Sequence, residues 1–384
     1  MPLKIARRGN VPPFIVMDVM RAAGERERAG GAVVHMEVGQ PSTPAPAKVL
    51  AAAHAALDGH RLGYTDAFGL MALRQRIARH YGETYGVAVD PERVVVTAGS
   101  SGAFVLSFLA AFDAGDRVAL ASPGYPAYRN ILTALGVEVV NIPVDPATNF
   151  QPTVDLLNRI PGPLHGLIVA SPSNPTGTMI GRDELAGIVH WCAGRDVRLV
   201  SDEIYHGIVY GQPAATALAF GDDAVVVNSF SKYFSMTGWR LGWMVLPDDL
   251  LRPVECLAQN LFISPPTLAQ VAAEAAFDCA EELAGHVARY ARNRTLLLAE
   301  LPKTGFHRLA SADGAFYLYA DVGELTNDSV DFCRRMLHEA GVAATPGIDF
   351  DPERGHRFLR FSFAGATEDM ATAARQLQSW LKKK

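Results

Sequence analysis

The sequence predicts an α/β protein: a large domain with a mainly parallel sheet of about seven strands between helices, plus a smaller α+β domain. Three observations predict this. From Arg93 to Leu246, short β-branched runs alternate with helical stretches, the pattern of a parallel sheet covered on both faces. Beyond a helical span from Arg252 to Leu301 the order changes to strand, helix, strand and helix, which marks a second unit. The 384 residues, 49% hydrophobic and 20% charged, are enough to bury two sizeable cores.

At the N-terminus, Pro12-Pro13-Phe14 is extended, and Val16 to Ala29 carries Val16, Val19, Met20 and Ala23 at helical spacing until Gly30-Gly31 ends it. His35 to Val38 reads as a short strand. The Pro-rich crossing that starts at Gly39 marks a boundary, and Ala47 to Leu57 is helical. Gly63 to Gly69 is an irregular loop before a helix with Leu73, Ile77 and Tyr81 on one face. The strand candidates of the sheet are Val94 to Thr97, Arg117 to Ala121, Glu138 to Val144, Gly166 to Ala170, Arg198 to Ser201, Ala224 to Asn228 and Leu241 to Leu246.

The C-terminal unit has a long helix from Glu281 to Glu300, a strand at Ala315 to Asp321, a helix at Ser329 to Ala340, a strand at Arg357 to Phe363 and a closing helix at Glu368 to Leu381. The expected division is an arm and part of the small domain at 1–40, a large domain at 41–284 and a small domain at 285–384.

A net charge of -5 argues against a nucleic-acid surface, which needs many cationic contacts to phosphate. The lysine run Lys382 to Lys384 is expected to fray in solvent. Cys192, Cys256, Cys279 and Cys333 lie far apart, with no metal or disulfide pattern, and no signal-peptide order or membrane-length apolar run is found. The expectation is a cytoplasmic protein that binds no metal.

Ligands of open α/β sheets sit at the carboxyl ends of strands, so the residues after each strand carry the functional reading. Gly99-Ser100-Ser101-Gly102 opens an apolar helix, where free N–H groups favour a phosphate. Tyr125 lies between prolines in Pro123-Gly-Tyr-Pro-Ala-Tyr128, rigid enough to face a flat ligand, and Asn174 offers an amide in Ser171-Pro-Ser-Asn-Pro-Thr-Gly177. Asp202 ends a buried strand, where a carboxylate needs a cationic partner such as a protonated pyridine nitrogen. The sixth strand, Ala224 to Asn228, leads into Ser229, Ser231 and Lys232, with Arg240 eight residues on. Lys232 is the only lysine between Lys48 and Lys303, so an imine-forming amine in this region must be Lys232.

The ordered set Gly39, Tyr64, Gly69, Ser100-Ser101-Gly102, Tyr125, Asn174-Pro-x-Gly177, Asp202-x-x-Tyr205, Ser229-x-Ser231-Lys232, Gly238-x-Arg240 and Leu359-Arg360-Phe-Ser resembles the fold-type I pyridoxal-phosphate aminotransferases of class I/II. The resemblance implies pyridoxal 5'-phosphate and a ping-pong transfer of an amino group between an L-amino acid and a 2-oxo acid through a Lys232 Schiff base. It also implies that Asp202 keeps the ring nitrogen protonated, that Tyr205 bonds the ring's phenolate oxygen and that Tyr125 stacks on the ring. Ser100, Ser101, Gly102, Ser229, Ser231 and Arg240 would surround the phosphate, and Tyr64 would reach it from the neighbouring subunit of a homodimer. Arg360 would pair with the substrate carboxylate, helped by Asn174 and the Gly39 backbone.

Two motifs depart from the family pattern, Gly39-Gln-Pro-Ser42 and Phe350-Asp351, both in substrate-side loops. No second arginine for a distal carboxylate is assignable, and some relatives with acidic substrates carry a lysine where this chain has Ser101. The expected amino donor is therefore neutral, aromatic or aliphatic rather than acidic. Phe14, Ile15 and Phe262 are pocket candidates, with core packing as their ordinary role.

β-Elimination at sulfur amino acids and other chemistry of the same fold stay open at this stage. A serine hydrolase built on Ser100 with Asp202 and His206 is a remote alternative, because no persuasive triad order follows the serine. A cofactor-binding regulatory module would need an N-terminal DNA-binding domain, and the expected catalytic fold begins within the first 40 residues.

Overall fold

A computed structural model describes residues 3–382; Lys383 and Lys384 of the terminal lysine run lie outside it. Helix α1 (Ile15–Arg28) begins directly after the extended Pro12-Pro13-Phe14, and strand β1 (Val34–His35) follows. Helices α2 (Ala47–Gly59) and α3 (Met71–Tyr85) each bury a stripe three to four residues apart, Val49, Ala53 and Ala56 in one and Leu73, Ile77 and Tyr81 in the other.

The chain then alternates β2 (Val94–Thr97), α4 (Gly99–Ala111), β3 (Arg117–Ser122), α5 (Pro126–Leu135), β4 (Glu138–Pro143), α6 (Val154–Leu157), β5 (Gly166–Ala170), α7 (Arg182–Ala193), β6 (Arg198–Asp202), β7 (Val225–Ser229) and β8 (Gly242–Val245). These seven strands form one sheet in the order β2-β8-β7-β6-β5-β3-β4. Strand β8 runs antiparallel to both of its neighbours, and the other pairs are parallel. Side-chain alternation sends Val94, Val96 and Val226 into one core layer and Val95, Val225 and Val227 into the other. Burial on both faces is why these strands read as unbroken apolar runs.

The span expected to be helical throughout is instead α8 (Asp248–Leu261), α9 (Thr267–Ala273) and α10 (Ala280–Glu300). The break has a local cause: Ile263 takes a left-handed φ of 65°, and Pro265-Pro266 removes two backbone donors before the next helix.

The remaining elements are β9 (Arg308–Leu309), β10 (Tyr317–Asp321), α11 (Ser329–Arg335), β11 (Val342–Ala343), β12 (Thr345–Pro346), β13 (Phe358–Ser362) and α12 (Thr367–Leu381). A wider turn at 336–340 carries α11 to the end expected for that helix. A four-stranded antiparallel sheet has the order β12-β13-β10-β9, and β1 pairs in parallel with β11. That pairing joins the N-terminal segment to the C-terminal part of the chain. The two-residue strands β9, β11 and β12 are too short to show a period in sequence. Among the described residues no helix is long and apolar enough to cross a membrane.

Candidate active site

A cavity opens at the carboxyl ends of the parallel strands, where the helices that follow them turn back over the sheet. The loops after β2, β3, β5, β6 and β7 all reach it, and Gly39, Tyr317 and Arg360 close it from the side of the smaller sheet.

On one side Ser100, Ser101, Ser231, Thr237 and Arg240 converge on the first turn of α4. This turn depends on Gly99, which sits at φ +74°, where a Cβ would come within 2.5 Å of Arg240 Nη2. The glycine thus lets the guanidinium lie against the helix start. Hydroxyls, a guanidinium and unpaired helix N–H groups together make a donor set suited to a phosphate ester. Arg240 itself has a left-handed φ of 53° and donates through Nη1 to the Thr237 carbonyl at 3.1 Å.

Deeper in, Asp202 is 3% exposed; it accepts from the Ile204 N–H at 3.0 Å and from the Tyr128 hydroxyl. Burial pushes its carboxyl up to about 6, against the pull of those two bonds and of the Lys232 charge, so it remains a carboxylate at neutral pH. It can therefore hold a protonated ring nitrogen. The Tyr205 hydroxyl lies 2.6 Å from that of Tyr317. Tyr125 presents its ring to the cavity, propped edge to face by Phe14 at 5.7 Å and Tyr128 at 5.3 Å.

Lys232 Nζ donates to the Gly39 carbonyl at 2.7 Å. Burial, then the charges of Arg360 and Arg240, push its amine down to about 8 although Asp202 pulls the other way. Gly39 has no room for a side chain, since a Cβ there would meet the Tyr317 hydroxyl at 1.7 Å.

Arg360 is 2% exposed and held between the rings of Tyr317 and Phe350, 4.5 and 4.8 Å from their centroids. It donates to Asn174 Oδ1 at 2.8 Å, to Thr345 Oγ1 at 3.2 Å and to the Glu37 carbonyl. Its buried Nε has no partner. A buried guanidinium N–H without an acceptor is costly, and it fits a site completed by an incoming carboxylate. Together with the phosphate cradle and Asp202, this donor set accommodates a phosphorylated pyridine and an amino acid side by side.

Of the residues singled out in the sequence, Gly39, Ser100, Ser101, Tyr125, Asn174, Asp202, Tyr205, Ser231, Lys232, Arg240 and Arg360 line this one cavity. Gly102, Ser229 and Tyr64 are not among its lining residues. Ser229 lies behind it, donating to Ser231 Oγ at 2.8 Å, and Tyr64 is 84% exposed in a separate surface depression. Phe14 lines the cavity, whereas Phe262 is 37% exposed and Ile15 does not reach the lining.

Tyr128, Thr237 and Tyr317 were not anticipated. Tyr128 had a legible signal, standing one helical turn after Tyr125, while Tyr317 gave none because its strand reads as ordinary core. The hydrolase arrangement does not form. His206 is buried, bonded to the Tyr85 hydroxyl and the Ser171 carbonyl, and burial pushes it down to about 3.

A model of the family described as Aminotransferase class I and II matches residues 32–377. The chain is similar to the valine–pyruvate aminotransferase of Mycobacterium tuberculosis, with 55% identity over 382 residues covering 98% of each chain. It is also similar to the (5-formylfuran-3-yl)methyl phosphate transaminase of Methanocaldococcus jannaschii, with 31% identity over 97% of this chain and 98% of the other. The crystal structure of an aminotransferase from Mycobacterium tuberculosis superimposes with a TM-score of 0.98 at 54% identity, covering 100% of both chains.

Proposed function

The chain belongs to the class I and II aminotransferases, and from that premise we propose that its cavity takes an amino donor with an aliphatic side chain and passes the amino group to pyruvate. It is a pyridoxal-phosphate-dependent enzyme that moves an amino group between an amino acid and a 2-oxo acid. The single observation that carries the donor reading is the set of cations in the cavity. Among the described lining residues these are Lys232, Arg240 and Arg360. Lys232 belongs to the cofactor, Arg240 to the phosphate cradle and Arg360 to the α-carboxylate, so no further cation among these lining residues faces a distal carboxylate, and the wall nearby is Phe14, Val16, Met17 and Val38. The valine–pyruvate activity named for the Mycobacterium tuberculosis relative supports the same choice.

When bound, pyridoxal phosphate supplies an electron sink for the charge left as the substrate loses its α-proton. In this reading Lys232 would hold the cofactor covalently, and its Nζ, when free, would take the proton from the substrate Cα. A depressed amine suits that task, because a general base works best with a pKa near the operating pH. Asp202, its carboxylate oriented by Tyr128, would hold a proton at the ring nitrogen. Tyr205 would bond the ring oxygen, and Tyr125 would cover the ring face. Ser100, Ser101, Ser231, Thr237 and Arg240 would grip the phosphate, with Gly102 and Ser229 supporting that cradle. Arg360 and Asn174 orient the substrate carboxylate so that Cα faces Nζ, and the Gly39 carbonyl accepts from Nζ when the amine is free.

We assign the chain to a homodimer in a cytoplasmic setting, in which the exposed Tyr64 completes the partner's phosphate site. We also divide it at 40/41 and 284/285, a division that the β1–β11 pairing supports.

The test is donor titration of the cofactor-loaded enzyme, following the cofactor's absorbance. Valine is expected to discharge it and aspartate to leave it unchanged, with alanine formed when pyruvate is added. Aspartate as effective as valine would overturn the donor reading. Release of ammonia and pyruvate from a cysteine conjugate, with no amino transfer, would overturn transamination.

A further inference from the structure

Three of the four residues of the apolar wall, Phe14, Val16 and Met17, come from the first turn of α1 and the residue before it, and nothing local caps that helix. Phe14 occupies the cap position without a side-chain bond to the free amides. The acceptor arrives from the far end of the sequence: Asp349 takes the Ile15 N–H on Oδ1 at 3.1 Å and the Val16 N–H on Oδ2 at 3.2 Å. Asp349 is itself 3% exposed, and its carbonyl is held by Arg129 Nη2 at 3.2 Å. The next residue, Phe350, packs beneath the Arg360 guanidinium, and its carbonyl accepts the Gly124 N–H at 3.1 Å beside Tyr125. One short segment therefore touches the helix that carries the apolar wall, the arginine proposed for the substrate carboxylate and the turn that carries the ring-covering tyrosine.

We propose that Asp349 is a positioning residue for donor selectivity: by gripping both amides of α1 it fixes Phe14, Val16 and Met17 against the substrate side chain, at a set distance from Arg360. This rests on the aliphatic-donor reading above. A carboxylate that accepts two N–H groups at once fixes the helix in rotation as well as in position, whereas a single acceptor would leave it free to pivot. Donors that fill the wall gain from this restraint. Alanine, with only a methyl group, gains little.

The experiment compares Asp349→Ala and Asp349→Asn with the wild type in the cofactor-loaded enzyme, measuring half-saturating valine and alanine separately. In Asp349→Ala the valine value should rise about ten-fold, as when about half of the contact between the wall and a valine side chain is lost. The alanine value should stay within about two-fold, and the bound-cofactor absorbance should be unchanged, since the phosphate cradle does not contain Asp349. Asp349→Asn keeps one acceptor oxygen and should fall between the two. It decides the matter by the same valine-to-alanine comparison if the alanine variant does not fold.

Equal changes for valine and alanine, or no change for either, overturn the assignment of Asp349. A wild-type enzyme that takes aspartate as readily as valine overturns the donor reading, and the selectivity role with it.

Discussion

At the residue scale, the site is built from groups held away from their ordinary charge states. Burial and two neighbouring arginines depress the Lys232 amine, while burial raises the Asp202 carboxyl. The sign for Lys232 is that of a cation disfavoured when folded. With a value of about 8, only about a tenth of the amine is neutral at pH 7 and about half at pH 8. Capture of pyridoxal phosphate by the cofactor-free protein should therefore quicken about five-fold from pH 7 to 8 and about two-fold more before levelling off above about pH 9, as stopped-flow absorbance would measure. A flat profile would remove Lys232 as the titrating group. For Arg360, the unpartnered Nε and the stacking against Tyr317 and Phe350 suit a planar fork that lysine cannot replace. Arg360→Lys should raise half-saturating valine by about two orders of magnitude while the cofactor absorbance remains. Lys232 was legible in sequence because it is isolated among arginines. Tyr317 was not, because a tyrosine in a buried strand carries no mark of facing a cavity.

At the scale of elements, the phosphate cradle depends on how closely α4 and the segment after β7 approach one another. Gly99 and Gly242 set that distance: a Cβ at Gly242 would fall 2.8 Å from the Ser100 nitrogen, and one at Gly99 2.5 Å from Arg240. Gly99→Ala adds a left-handed strain of about 1–2 kcal/mol to this clash. The variant is expected to unfold at lower temperature and to bind the cofactor weakly, which calorimetry and dialysis of the loaded protein would check. Wild-type retention of the cofactor would show that the first turn of α4 does not need this conformation. The large-sheet strands could be found in sequence because burial on both faces leaves continuous β-branched runs. Strands β9, β11 and β12 could not, since two residues show no period, and the break between α8 and α9 had only its proline pair as a signal.

At the scale of the whole molecule, Tyr64 stands on the surface, away from the cavity of its own chain. If it serves the partner, mixing inactive Tyr64→Ala and Lys232→Ala subunits should rebuild one intact site per heterodimer. Activity should return to about a quarter of wild type after random exchange. No recovery would place Tyr64 outside any shared site. By itself the sequence determined the α/β class, the order of the strands along the chain and the polar residues at their carboxyl ends, because alternation, turn chemistry and helix starts are local properties. The tertiary structure alone decided that Tyr317 joins Gly39, Arg360 and Lys232 in one cavity, and that Asp349 caps a helix that begins more than 300 residues earlier. Those contacts join opposite ends of the chain, and no local preference encodes which distant groups will meet when two sheets pack.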